Sequence, residues 1–235
     1  YISVIEAIKH AAYAQNAKPE IEWINSEIFE EQPKKISSLS KYNGIIVPGG
    51  FGERGVEGKI ATIQYVRENK IPYLGLCYGM QLMVVEFARN VAGMKKAHTT
   101  EIDAKTPYPV IDIMPEQKEN LKEHHYGATM RLGDYPCIVE KKTLAFQAYK
   151  KQKIIERHRH RYEVNPKYTE KLKRQGLIFS GKSPDKKLME IAELSVLDHP
   201  FMLGTQFHPE FTSSPLIPNP LFLKFISVAL KRNKK

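Results

Sequence analysis

The chain has 235 residues, of which 42% are hydrophobic and 26% charged. That composition describes a globular protein, and the length suits one layered α/β domain, expected to span residues 1–235. The longest apolar runs fall well short of the roughly 20 residues a membrane-spanning helix needs, and the opening segment carries Glu6 with no basic lead-in, which argues against a secretory signal. Two cysteines, Cys77 and Cys137, make no disulfide framework, and neither has a Cys or His at zinc-ligand spacing, so a reducing, cytoplasmic setting is expected. The formal charge is +10, and Lys150 to Arg174 holds ten Lys or Arg against three Glu. No nucleic-acid-binding motif accompanies this charge, so anionic small molecules or an acidic neighbouring domain fit it better than nucleic acid does.

Along the chain, short β-branched runs alternate with longer helical patterns, which predicts βα units. Ile2, Ile5, Ile8 and Ala12 fit one helical face. Glu20 to Ile24 alternates as a strand, and Gly44 to Val47 is a continuous apolar run of the buried-strand kind. Lys59 to Glu68 reads as a helix leading into the strand Ile71 to Leu76. Met80, Val84, Phe87 and Val91 then recur at spacings that stack them on the core face of another helix. Beyond residue 100 the strands shorten, with Tyr108 to Met114, Thr129 to Leu132, Cys137 to Val139 and Ile154 to Val164 as candidates. The charged piece Pro115 to His125 reads as a surface loop. Gly176 to Ser180, Met189 to Val196 and Phe201 to Phe207 read as strands before a closing helix from Pro220 to Leu230. The expected fold is α/β, a mostly parallel open sheet with helices on both faces, with no internal repeat or linker to suggest a second domain.

Gly75-Leu76-Cys77-Tyr78-Gly79 sets a cysteine between two glycines where an apolar strand gives way to a helix. This is the thiol counterpart of a nucleophile elbow: the glycines allow a sharp turn with close neighbours, and the helix N-terminus favours the thiolate. Cys137 sits in an ordinary strand pattern and reads as a small buried hydrophobe.

A thiolate attacking an amide needs a proton donor for the departing amine, most often histidine. Gln206-Phe207-His208-Pro209-Glu210 supplies one. The proline pushes His208 towards an extended conformation, in which residues two apart point the same way, so Glu210 is expected to reach the imidazole and fix its tautomer. His158 and His160 also stand two apart, but no third ligand follows at a recognisable spacing and no metal is expected there. His98, His124 and His125 read as surface residues. Acyl transfer further requires backbone N–H groups aimed at the developing oxyanion. The loop Pro48-Gly49-Gly50-Phe51-Gly52 leaves the end of an apolar strand, and the N–H groups of Gly50 and Tyr78 are the natural pair.

Together the elbow, the Pro-Gly-Gly loop and His-Pro-Glu resemble the class I glutamine amidotransferases. Three longer stretches, Gly49 to Gly58, Arg157 to Asn165 and Gln206 to Phe211, narrow the resemblance to the glutaminase domain of CTP synthases, and it extends from Tyr1 almost to the C-terminus. The resemblance implies hydrolysis of L-glutamine through a cysteine thioester, with catalytic Cys77, His208 and Glu210. By motif position it implies that Gly50, Phe51, Gln81, Glu101 and Arg161 hold the substrate, the carboxylate suiting an α-ammonium and the guanidinium an α-carboxylate. It implies no cofactor in this domain. ATP and Mg would belong to a synthetase domain aminating UTP, GTP would act as an allosteric activator with Arg54 as the residue to watch, and the full-length protein would be a homo-oligomer. The sequence departs from the family's pattern at Tyr78, where leucine is usual. A strand ahead of the Tyr1 helix and the synthetase domain, both expected, are not in the sequence. The rival readings are another class I amidotransferase or a γ-glutamyl hydrolase, against which the Arg-His-Arg-His-Arg run argues, and a non-catalytic binding module using the basic surface.

Overall fold

The computed structural model describes residues 1–113 and 130–232; the loop expected over Pro115 to His125, with His124 and His125, lies outside them. The described strands are β1 (Ile45–Val47), β2 (Tyr73–Leu76), β3 (Ala97–Thr99), β4 (Tyr108–Ile113), β5 (Arg131–Val139), β6 (Lys153–His160), β7 (Tyr162–Val164), β8 (Ile178–Lys182), β9 (Met189–Glu193) and β10 (Met202–Thr205). The helices are α1 (Ile2–Tyr13), α2 (Glu27–Glu31), α3 (Val56–Glu68), α4 (Tyr78–Asn90), α5 (Leu144–Tyr149), α6 (Pro166–Arg174) and α7 (Pro220–Lys231). A seven-stranded sheet runs β1-β2-β10-β9-β8-β5-β6, and a three-stranded one runs β3-β4-β7. In the larger sheet β1, β2 and β10 are mutually parallel, and the strands from β9 to β6 continue it in antiparallel fashion. The open α/β sheet with helices on both faces is therefore the expected one, but it is mixed rather than mostly parallel: its parallel block is confined to β1, β2 and β10, at the end that carries the cysteine.

Both faces are covered. Ile60 and Ile63 of α3, Met80, Met83 and Val84 of α4 and Leu172 of α6 build one apolar layer. Val4 and Ala11 of α1, Leu144 of α5 and Phe222 and Phe225 of α7 build the other. Helix starts follow local chemistry: the side chains of Thr143, Asn165 and Asn219 cap α5, α6 and α7, and Pro166 and Pro220 occupy first-turn positions that need no N–H donor.

Several expectations are corrected. Residues 20–24 form no strand: they line, with β1, a groove of about 1260 Å³, and Trp23 lies against Tyr1, ring centroids 5.5 Å apart. The buried stripe of α1 is Val4, Ala7, Ala11 and the expected Ala12, while Ile2 is exposed and Ile5 and Ile8 lie on its shoulders; small side chains let α1 approach α7 closely. The run Ile154 to Val164 is two strands, β6 in the large sheet and β7 in the small one, with the bend at Arg161 between them. Conversely, residues 131–139 form one strand rather than two pieces. His98 is not a surface residue, for it is buried beside α3 with its Nε2 3.6 Å from Glu57.

Candidate active site

Cys77 occupies the single residue between β2 and α4, with φ +50° and ψ −98°. Non-glycine residues rarely hold such angles, and surroundings must over-determine them. Here they do. The Cys77 N–H donates to the Thr205 carbonyl at 2.6 Å, and the Tyr73 hydroxyl donates to the Gly79 carbonyl at 2.9 Å, bracing the turn from beneath. The flanking glycines are needed for contact: a Cβ on Gly79 would stand 2.1 Å from the Val47 carbonyl oxygen, and one on Gly75 2.7 Å from the Gly79 carbonyl carbon.

β10 lies beside β2, so the residues that follow it arrive at the cysteine. The His208 N–H donates to the Arg157 carbonyl at 2.8 Å, and its ring stacks on Phe211. His208 Nδ1 is 2.8 Å from Glu210 Oε1, and the Cys77 side chain acts on the same ring. The structure thus brings Cys77, His208 and Glu210 together. One detail differs from expectation: Glu210 is not on extended chain but in a 3-10 turn, Pro209–Thr212, that folds its carboxylate back under the ring. Burial works against charge on His208, but the hydrogen bonds to Cys77 and Glu210 outweigh it and hold the imidazolium up to about 10.

The Pro-Gly-Gly loop passes directly over this pair. A Cβ on Gly49 would lie 2.8 Å from His208 Cε1 and 3.7 Å from Cys77 Cβ, and one on Gly50 would lie 3.5 Å from the Tyr78 ring. Gly50 and Tyr78 are therefore neighbours, and the Tyr78 N–H lies in the first turn of α4, where no intrahelical acceptor is available. The Tyr78 hydroxyl donates to the Gly52 carbonyl at 2.8 Å, so this side chain ties the elbow to the loop. Gly52 N–H in turn donates to Glu101 at 3.0 Å.

Around this rim stand the other expected residues. Gln81, buried on α4, donates to the Tyr162 carbonyl at 3.0 Å. Arg161 sits at the β6–β7 bend, with its Nε buried and unpartnered among the described residues. The Tyr162 phenol is raised by burial and then by Glu101, and lowered by Arg161, so both charges act on one ring. Phe51 is 88% exposed at the loop tip. Arg54 stands apart in solvent, in a bidentate pair with Glu27 at 2.9 Å.

His158 and His160 belong to a different group. They contact each other at 2.8 Å, and behind them Arg131 pairs with Glu190 at 2.6 Å and with Glu163 at 3.6 Å. Burial, with Arg131 next for His158 and His158 next for His160, pushes His158 down to about 3 and His160 well below its ordinary value. Burial and then Glu190 push the Glu163 carboxyl well up, against the opposing pull of Arg131. Among the described residues no three His, Cys, Asp or Glu side chains are arranged to hold a metal ion, and no described helix is long and apolar enough to cross a membrane.

Sequence reasoning missed Gln206. Its fully buried amide nitrogen points at the Cys77 sulfur, 3.7 Å away. Gln206 precedes His208 by two residues at the end of a strand, so the same alternation that singled out His-Pro-Glu places it on the cysteine's side.

Comparison with known proteins agrees with this geometry. The model of the family "Glutamine amidotransferase class-I" matches residues 1–228. The CTP synthase of Caldanaerobacter subterraneus subsp. tengcongensis is 56% identical over 98% of this chain, and that of Pyrococcus abyssi 55% identical over 97%. The chain spans 42% of the length of each of these relatives. Among solved structures, the glutaminase domain of Trypanosoma brucei CTPS with bound acivicin superposes with a TM-score of 0.91 at 36% identity, covering 99% of this chain and 89% of that one. With a family model across almost its whole length and a glutaminase domain matched end to end, the chain belongs to the class I glutamine amidotransferase family, on the branch formed by the glutaminase domains of CTP synthases.

Proposed function

We propose that the chain hydrolyses L-glutamine to glutamate and ammonia, and that the ammonia serves a synthetase domain aminating UTP to CTP at the expense of ATP. The observation that carries the hydrolytic reading is the chain of contacts from Cys77 through His208 to Glu210 beneath a glycine loop. The Cys77 sulfur attacks the side-chain amide carbon, and the N–H groups of Gly50 and Tyr78 receive the negative charge that develops on its oxygen. His208 gives its proton to the departing nitrogen, the C–N bond breaks, and ammonia leaves behind a thioester. Water then attacks the thioester carbon and yields a proton to His208, the C–S bond breaks, and glutamate departs with the sulfur and imidazolium restored. Glu210 fixes the ring throughout.

Gln81, Glu101, Arg161, Gly50 and Phe51 hold the substrate backbone, with Glu101 on the α-ammonium and Arg161 on the α-carboxylate. A buried guanidinium nitrogen without a partner supports the latter role. Arg54, exposed and paired with Glu27, is the residue assigned to a GTP response. The class I fold of the close relatives and their name support the link to CTP formation.

Ammonia release from glutamine, with Cys77→Ala as control, tests the hydrolysis. Treatment with acivicin, the compound bound by the Trypanosoma brucei domain, followed by peptide mapping should label Cys77 alone. Cys137 is fully enclosed and burial pushes its thiol far up, so it should stay unmodified. Labelling at Cys137, or ammonia release that survives Cys77→Ala, would overturn the reading.

A further inference from the structure

The donor set around Cys77 is larger than a cysteine–histidine–glutamate triad requires. Gln206 is fully buried and places its Nε2 3.7 Å from Cys77 Sγ, within the longer range of N–H···S hydrogen bonds. Its orientation is dictated by a second amide. Gln81 Nε2 donates to the Tyr162 carbonyl at 3.0 Å and to Gln206 Oε1 at 3.3 Å. A donor must meet an acceptor, so Gln206 turns its oxygen towards Gln81 and its N–H groups towards the sulfur; the flipped amide would set two NH₂ groups face to face. The backbone is pinned on both sides as well, since Gln206 N–H donates to the Glu190 carbonyl at 2.8 Å and Cys77 N–H to Thr205 at 2.6 Å.

We propose that Gln206 is a further catalytic residue: its carboxamide donates a hydrogen bond to the Cys77 sulfur, and Gln81, anchored on the Tyr162 carbonyl, sets the direction of that bond. The inference rests on Cys77 being the nucleophile. A sulfur that carries negative charge accepts hydrogen bonds far better than a thiol does, so a fixed, buried N–H donor favours the reactive form. Because Gln81 also lies where the glutamine backbone is held, one amide relay joins the substrate's seat to the attacking atom.

The test is the rate of alkylation of Cys77 by iodoacetamide in the substrate-free protein, followed from about pH 5 to about pH 10 with peptide mapping. Gln206→Met keeps the length of the side chain and loses the donor; its midpoint should rise by about one pH unit, so that alkylation below the midpoint is about tenfold slower. Gln206→Glu sets a carboxylate against the sulfur and should raise the midpoint further. Gln81→Met frees the Gln206 amide to rotate and should give a smaller rise. Folded Gln206→Met and Gln206→Glu proteins with the wild-type midpoint would overturn the proposal. Should circular dichroism show that neither folds, Gln81→Met decides: an unchanged midpoint overturns the relay, and a raised one supports it. Failure of the underlying reading looks different, because Cys77 would then resist iodoacetamide in the wild-type protein itself.

Discussion

His208 keeps its proton because two partners compensate for burial, and one of them can be removed without changing the shape of the site. Glu210→Gln retains a hydrogen-bonding oxygen 2.8 Å from Nδ1 but withdraws the negative charge. The imidazolium then loses support, and the amide can also favour the wrong tautomer. Glutamine hydrolysis should fall by about 10² to 10⁴ in kcat with a much smaller change in KM, since no substrate contact is lost. In the wild type, proton donation should fail only as pH approaches about 10; in the variant this alkaline limb of the kcat profile should move to lower pH. An unshifted limb would mean that Glu210 does not govern the imidazole. At this scale the sequence was informative wherever a motif was local. Cys77 between glycines and His-Pro-Glu are readable from a few residues each. Gln206 was not, because its role depends on β10 lying beside β2, and neither was the group behind His158 and His160, whose acids come from β7 and β9.

The elbow depends on how closely three elements approach one another. At Gly79, α4 passes against the backbone of β1, and a methyl group there would stand 2.1 Å from the Val47 carbonyl oxygen. Gly79→Ala must push the helix away from the strand that leads into the Pro-Gly-Gly loop, at a cost of about 3 kcal/mol, the upper end of overpacking. Gly93→Ala meets no atom within 4 Å and is opposed only by its φ of +71°, a cost of about 1 kcal/mol. Urea unfolding should separate the two clearly, and equal costs would show that the close approach is not what requires glycine at the elbow. The same comparison explains which elements could be foreseen. β1, β2, α3, α4 and α7 have strong patterns and tight neighbours, and they appear where expected. Residues 20–24 have the alternation of a strand, but a strand also needs a hydrogen-bonding neighbour, and these residues pair with no described strand and line the groove beside β1. α5 and α6 are short, and their signals were caps, Thr143 and Asn165-Pro166, rather than periodicity.

Over the whole molecule, pH acts through two opposed sets of buried groups. His158, His160 and His199 are held below their ordinary value chiefly by burial, to about 3 for His158 and about 4 for His199. They stay neutral in the folded chain while the unfolded chain takes up their protons, so each removes stability as pH falls below about 6.5. Glu156, Glu163, Glu190 and Glu193 are raised, again chiefly by burial. These contribute stability that is present at low pH and is lost as pH rises through their folded values. The two trends have opposite signs, so wherever they overlap the stability curve should be flatter than either set alone would make it. One histidine can be isolated from the balance. His199 is 1% exposed and clamps α3 to β10, its Nε2 donating to the Val66 carbonyl at 3.1 Å and its Nδ1 accepting from the Phe201 N–H at 3.2 Å. The charges acting on it, Lys70 and Arg67, are both positive and reinforce burial. His199→Gln can keep the bond to Val66 through its amide nitrogen but has no proton to bind. Between about pH 6 and the His199 value of about 4, the wild type should lose about 1.4 kcal/mol per pH unit relative to the variant. The unfolding free energies of the two, measured in urea across that interval, should therefore converge on acidification, and parallel curves would show that His199 already carries its charge in the folded chain.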